Sequence, residues 1–238
     1  MANFPFQRLQ TDLAELIASS PAGQRLPSEP DLAKKLGVSR ATLREAMRSF
    51  ETQGLIRRRQ GSGTFVVGKV AVLGSGLEVL ESLETMAKRL GLEISVSDLS
   101  VETQKADAEL AVALNVAEGT TLTRVRRVIR ADSRPVAYLV DILPEGILHS
   151  KDLPADFHGS VLDFMLGRGD PLASSRANVS AIGATADVAK ALEIQRGDVL
   201  LHFYSQLFDA SGKAVDYSLS YFIPGYFHFH IVRRVGGS

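Results

Sequence analysis

The stretch Leu36-Gly37-Val38-Ser39-Arg40-Ala41-Thr42-Leu43-Arg44-Glu45-Ala46 decides the fold of the first part of this 238-residue chain. Gly37 suits a left-handed helix exit, Val38 a core position, and Ser39 the cap of a new helix. Upstream, Ser28 is placed to cap a short helix over residues 29–36, with Asp31 favourable in its first turn. Before it, Leu9, Leu13, Leu16 and Ile17 recur at helical spacing within residues 6–19, and Pro21, Gly23 and Pro27 then break the pattern. The helix after Ser39 is expected to run to about Gln53. Leu43, Ala46, Met47 and Phe50 line its buried stripe, leaving Arg40, Thr42, Arg44 and Arg48 outward or on its flanks. Two helices joined through Gly37-Val38 make a helix-turn-helix, whose second helix lays its N-terminus into the DNA major groove.

Beyond Gly54, residues 55–59 and 64–67 read as two short strands around Gln60-Gly61-Ser62-Gly63. A hairpin tip so small and polar does not belong in a core. Arg57, Arg58 and Arg59 give it a positive root. A helix pair alone does not decide DNA binding, and an exposed arginine is usually only solvated. Three helices, a basic third one and a glycine-tipped basic hairpin together indicate a winged helix. The candidate contacts to a double-stranded DNA operator are Ser28, Ser39, Arg40, Thr42, Arg44 and Arg48 on the helices. On the wing they are Arg59, Gln60, Gly61 and Ser62. Ser39 and the first-turn amides suit a phosphate, while Arg40 and Arg44 reach phosphates or guanine edges.

Charge supports the division. Lys+Arg and Asp+Glu both total 27 over the chain, yet residues 1–68 hold ten basic against six acidic residues. The remainder holds 17 against 21, so a small basic module precedes a larger acidic one. The chain has no cysteine, which excludes disulfides, thiol catalysis and Cys-ligated zinc. No apolar run approaches 18 residues, so neither a membrane span nor a signal peptide is expected, and the expected location is the cytoplasm.

Residues 69–76 carry little patterning and read as a linker, followed by a helix over residues 77–90 with Leu80, Leu83, Ala87 and Leu90 spaced to dock. An internal repeat comes next. Residues 108–122 (AELAVALNVAEGTTL) align without gaps on residues 186–200 (ADVAKALEIQRGDVL), 78 positions later. Each copy reads as an Ala-rich helix, a glycine turn, a long strand and a returning strand after a polar turn. This implies an α+β domain around one mostly antiparallel sheet. A last strand is expected over residues 225–234. Strand parity puts Leu122, Arg124, Arg126 and Val128 on one face of the first strand. The equivalent strand of the second copy groups Leu200, His202, Tyr204 and Gln206. A face mixing Arg, His and Tyr can bind a small anionic or polar molecule, and Tyr221 joins this set. Arg124 and Arg126 crossing the sheet surface with carboxylate partners is an equally good reading of the spacing.

Leu26-Pro27-Ser28-Glu29, the helix-turn-helix segment, Gln53-Gly54-Leu55-Ile56 and Gln60-Gly61-Ser62-Gly63-Thr64-Phe65-Val66 closely resemble the winged-helix domain of the GntR family of bacterial regulators. Pro30 stands where that family usually has a DNA-contacting arginine. Gly119, Leu122, Arg124-Val125-Arg126-Arg127, Arg134-Pro135-Val136-Ala137, Leu143-Pro144, Gly159-Ser160, Gly197-Asp198-Val199-Leu200 and Arg233-Arg234 are similar to the UTRA effector domain of HutC-type members. The resemblance implies a chorismate-lyase-like fold used for sensing. It implies three segments: a DNA-binding domain over residues 1–68, a connection over 69–90, and an effector domain over 91–238. It matches Arg124 and Arg126 to an anion-holding pair and Ser160 to a pocket serine. Leu139 and Leu162 stand where sugar-sensing relatives keep a glutamate and a tyrosine. A buried sugar hydroxyl without a partner costs roughly 1 to 3 kcal/mol, so a less hydroxylated anion fits better.

The expectation is therefore a homodimeric repressor, without cofactor, released from an inverted-repeat operator by a small anionic effector. The rival reading is an enzyme of chorismate-lyase-like fold fused to a DNA-binding domain, but no catalytic constellation with specific spacing is present. His228 and His230 lie two apart on one strand face, but no third metal ligand is suggested by sequence.

Overall fold

The computed structural model describes residues 5–52, 55–59, 62–67, 73–154 and 157–231. Gln53, Gly54, Gln60, Gly61, residues 69–72 of the expected linker, Arg233 and Arg234 lie outside them. The chain forms two compact units, Met1–Val72 with Pro224–His228, and Leu73–Ile223 with Phe229–Ser238.

In the first unit, α1 spans Pro5–Ser19, α2 Glu29–Lys35 and α3 Arg40–Thr52. Strands β1 (Ile56–Arg59) and β2 (Gly63–Val66) pair antiparallel. Leu9, Leu13, Leu32, Leu43, Ala46, Met47, Phe50, Ile56 and Val66 form one buried core, with Val38 packed against it. Both expected caps are present. The Asp31 amide donates to Ser28 Oγ at 3.4 Å, and the Thr42 amide to Ser39 Oγ at 3.0 Å. Gly37 has φ +66°, the left-handed turn that separates α2 from α3. Gly63 has φ +109°, and a Cβ there would come 2.6 Å from Arg25 Nε. Only glycine fits.

Strand β3 (Leu73–Gly76) of the second unit pairs with β10 (Phe227–His230), whose last two residues belong to the same unit. Part of the expected linker is therefore a strand, because pairing needs only backbone groups and a four-residue strand is too short to display a period. The expected helix over 77–90 is only α4, Leu83–Arg89. Ser82 accepts the Thr85 amide and starts it there, so Leu77, Val79 and Leu80 stay exposed in non-helical chain. The last strand ends at His230 among the described residues. Phe229 packs on Phe203 and Phe222, with ring centroids 4.9 and 5.2 Å apart.

The main sheet has the order β4-β5-β6-β9-β8-β7, antiparallel throughout. Its strands are β4 (Ile94–Lys105), β5 (Thr121–Ala131), β6 (Arg134–Pro144), β7 (Leu172–Gly183), β8 (Val199–Asp209) and β9 (Ala214–Phe222). Helices α5 (Ala108–Leu114) and α7 (Ala186–Ala191) precede β5 and β8, and α6 spans Val161–Arg168. The repeat is longer than the sequence displays: β4 and β7 are also 78 positions apart, both at their starts and at their ends. Each copy contributes strand, helix, strand and strand, and the copies meet where β6 pairs with β9.

Candidate DNA-binding and effector sites

In the first unit the basic groups lie on exposed parts of α2, α3 and the wing. Ser28, Ser39, Arg40, Arg44, Arg59 and Ser62 are exposed, while Thr42 and Arg48 are half-buried. Capping fixes the start of α3, since Ser39 Oγ also lies 2.7 Å from Thr42 Oγ1. One acid organises the arginines: Glu29 accepts Arg44 Nε at 2.6 Å and lies 3.8 Å from Arg58 Nη2. Glu51 also holds Arg58. Arg59 covers the Phe65 ring at 5.2 Å. This face can present guanidinium groups and helix N-terminal amides to a phosphate backbone. Glu29 as a holder of Arg44 was not foreseen. Its place next to the α2 cap, 15 positions before Arg44, is no local pattern.

In the second unit the expected effector residues are divided by the sheet. Arg124 and Arg126 share parity with Leu122, whose side packs against Leu110 and Leu114 of α5. His202, Tyr204 and Tyr221 belong to that side through the pairs Tyr204↔Leu219 and His202↔Tyr221. Leu139 has the opposite parity, shared with Leu143, which packs with Val125, Val161, Met165 and Leu162. Ser160, the cap of α6, is buried next to Val161 and accepts the Asp163 amide. A single pocket using Arg124, Arg126, Leu139 and Leu162 is therefore corrected. Side chains alternate across a strand, and no small molecule reaches both faces of one sheet.

The guanidinium on the Leu139 side is Arg127, which pairs with Leu139 across the strands. It is fully buried, ion-paired with Asp141, and its Nε lies 3.8 Å from Glu84 Oε1. Burial opposes its charge, but Asp141, Glu84 and Asp216 outweigh that and hold its pKa above the ordinary value. Glu84 has both carboxylate oxygens buried without a hydrogen bond, and burial, then Asp163 and Asp141, push its pKa up against Arg127. Asp163 Oδ2 accepts Ser82 Oγ at 2.5 Å and Thr85 Oγ1 at 3.1 Å, tying α6 to α4. Asp216 accepts the Ile142 amide at 3.1 Å. Its pKa is pushed well up by burial and by Asp141, against the backbone amides and Arg127. The missed signal was parity: Arg127 sits between Val125 and Ile129 on an otherwise apolar face, where a charge has to be buried and paired.

Asp216 gives a pH prediction. A carboxyl whose pKa is raised on folding contributes stability below its unfolded value, about 4, and loses it as pH rises through the folded value. Glu84 acts with the same sign. Asp216→Asn keeps an acceptor for the Ile142 amide and removes this titration. The variant is expected to melt above the parent at pH 8 and to show a flatter melting-temperature profile between pH 5 and 8. Parallel profiles would contradict a raised pKa at Asp216.

Among the described residues no group of three or more His, Asp or Glu could hold a metal ion, and no helix is long and apolar enough to cross a membrane. Residues 6–66 match the family model for bacterial regulatory proteins of the gntR family, and residues 89–228 match the UTRA domain. The chain is 29% identical to the HTH-type transcriptional regulator Rv0792c of Mycobacterium tuberculosis, covering 96% of this chain and 87% of that protein. It is 31% identical to the histidine utilization repressor of Pseudomonas putida, over 77% and 73%. The crystal structure of PhnF from Mycobacterium smegmatis shares the fold, with TM-score 0.66 and 21% identity over 96% of this chain and all of that one. The chain belongs to the gntR family of bacterial regulatory proteins and carries a UTRA domain, which makes it a DNA-binding, ligand-responsive transcription regulator and not an enzyme.

Proposed function

We propose that the protein is a repressor that binds an inverted-repeat operator as a homodimer and is released by a small effector held in the second unit. The observation that carries this is one exposed recognition helix per chain, with Arg40 and Arg44 in its first turns. A single winged helix makes few contacts, so paired half-sites must supply the specificity. The repressor named among the relatives supports the direction of control. The proposed division is a DNA reader over residues 1–68, a connection over 69–90 and an effector module over 91–238. The effector module is read as a chorismate-lyase-like frame that binds without catalysis.

The effector is assigned to the Arg127 side of the sheet, where Ser160, Leu139 and Leu162 lie. Carboxylates outnumber the guanidinium there, with Glu84, Asp141 and Asp216 around Arg127 and Asp163 beside Glu84. A free anion would have to displace Asp141, so an effector bringing a positive charge or several donors, with an apolar part against the leucines, fits better than the anion expected from Arg124 and Arg126. Such a molecule acts as a switch only if it binds the DNA-free state more tightly.

The test joins light scattering with titrations of the inverted repeat and of one half-site. A dimer at micromolar protein, with tight binding that needs both half-sites, is expected. A monomer that binds one half-site as tightly as the repeat refutes the assembly.

A further inference from the structure

We propose that edge strand β7 pairs antiparallel with β7 of a second copy of this chain, around a two-fold axis at Asn178, and joins the two main sheets into one. This rests on the homodimer proposed above and names the surface that holds it.

The internal repeat supplies the comparison. β4 and β7 are equivalent strands of the two copies and close the sheet at opposite edges. An unpaired edge is a ready template for another strand, and proteins blunt it with charges, bulges or cover. β4 has all three. It carries Asp98, Glu102 and Lys105, a bulge lies between Ser97 and Ser100 with Asp98 at φ +52°, and the helical turn Ser150–Asp152 packs against it. At the positions of those three charges, 78 residues on, β7 has Arg176, Ser180 and Gly183. It holds no proline and no carboxylate, and its register with β8 is unbroken from Ser174 to Gly183. Val179 is 49% exposed, and among the described residues no strand lies beyond β7.

Backbone polarity dictates how a second strand can pair. The Ala184 amide donates to the Asp198 carbonyl at 2.8 Å, one step past the Gly183↔Val199 pair. Hydrogen-bonded and non-hydrogen-bonded pairs alternate along an antiparallel ladder, so Arg176, Asn178 and Ser180 turn their amides and carbonyls to β8. Those of Ser175, Ala177, Val179 and Ala181 point outward. A second copy uses all four when Ser175 faces its Ala181 and Ala177 faces its Val179, and the reverse, exchanging about eight hydrogen bonds. This register spans the regular part of the strand. It sets Arg176, the one charge on β7, opposite Ser180 and away from its own copy. The small Ala177 leaves room for Val179 of the second copy. On the other face Tyr204, 40% exposed and paired with Asn178, flanks the axis.

On the axis, Asn178 meets Asn178 as a non-hydrogen-bonded pair, with about 4.5 Å between Cα atoms, which a disulfide can span. The chain has no cysteine, so one introduced thiol reports this contact alone. Full-length Asn178→Cys, oxidised at micromolar concentration, is expected to give a reducible covalent dimer at least about tenfold faster than Ser180→Cys, whose thiol faces Arg176. Val179→Pro removes only an outward amide, which an edge strand tolerates, and should be monomeric by light scattering with a normal near-ultraviolet circular dichroism spectrum. A parent that dimerises while Asn178→Cys stays uncrosslinked, or a folded Val179→Pro that remains dimeric, overturns the β7 contact and leaves the homodimer standing. Equal crosslinking of both cysteine variants overturns the Asn178 axis. A parent that is monomeric throughout overturns this contact and the homodimer together.

Discussion

Arg127→Met is expected to destabilise the second unit by about 3–5 kcal/mol, the usual result of removing one member of a buried ion pair. The substitution keeps the bulk of the stem but leaves Asp141 facing Glu84 and Asp216 with no cation between them. Asp216 and Glu84 already have raised pKa values beside the arginine, so without it both are driven further toward their neutral forms. For a unit of this size each kcal/mol lowers the melting temperature by about 2–4 °C, so the corresponding transition should fall by roughly 10 °C. The first unit has its own core and should melt unchanged. Arg127→Met with Asp141→Leu should recover part of the loss, because the second change removes the carboxylate left exposed to its neighbours. Calorimetry of the three proteins decides it. A single variant that melts within 2 °C of the parent would mean that water reaches Arg127 freely.

The first unit was readable because its determinants are local. Ser28, Gly37 and Ser39 fix helix ends through their own backbone neighbours, and the Leu43, Ala46, Met47 and Phe50 stripe survives at full contrast between core and solvent. The repeat was readable only where residues are buried. Strands β4 and β7 lie at the two sheet edges, and β7 is exposed at nearly every position from Ala173 to Ala181, so no alternation marked them. The helix misread over 77–90 shows the converse. Leu77 and Leu80 have helical spacing to Leu83 and Ala87, but only the last two meet a core. The effector residues failed for a different reason. Three arginines in Arg124-Val125-Arg126-Arg127 differ in parity, and both the mixed Arg, His and Tyr face and the resemblance pointed to the two whose face holds neither Leu139 nor Leu162. Burial of Arg127 among carboxylates from α4, β6 and β9 is a long-range fact, which no spacing in the chain expresses.

Removing both Arg40 and Arg44 should weaken operator binding by at least about thirtyfold. A contact to a base edge contributes roughly 1–3 kcal/mol, and the two residues sit in the first turns of the helix that enters the groove. Arg44 is not idle in free protein, since Glu29 holds its Nε at 2.6 Å. That pair is more than half exposed on the arginine side, and exposed pairs contribute about 0–1 kcal/mol. Exchanging Glu29 for a guanine edge or a phosphate is therefore inexpensive, and the ion pair keeps Arg44 in place until DNA arrives. Single alanine variants separate the two kinds of contact. A base contact is lost on the operator and leaves binding to unrelated DNA unchanged. A phosphate contact weakens all sequences alike and lowers the salt slope by about one. Glu29→Gln moves the other way: it frees Arg44 and leaves Arg58 with Glu51 alone, so binding to any DNA should strengthen and become more sensitive to salt. Isotherms on operator DNA that overlay the parent for Arg40→Ala, Arg44→Ala and the double variant would leave both arginines as solvated surface groups, and would place the reading of sequence on the wing instead.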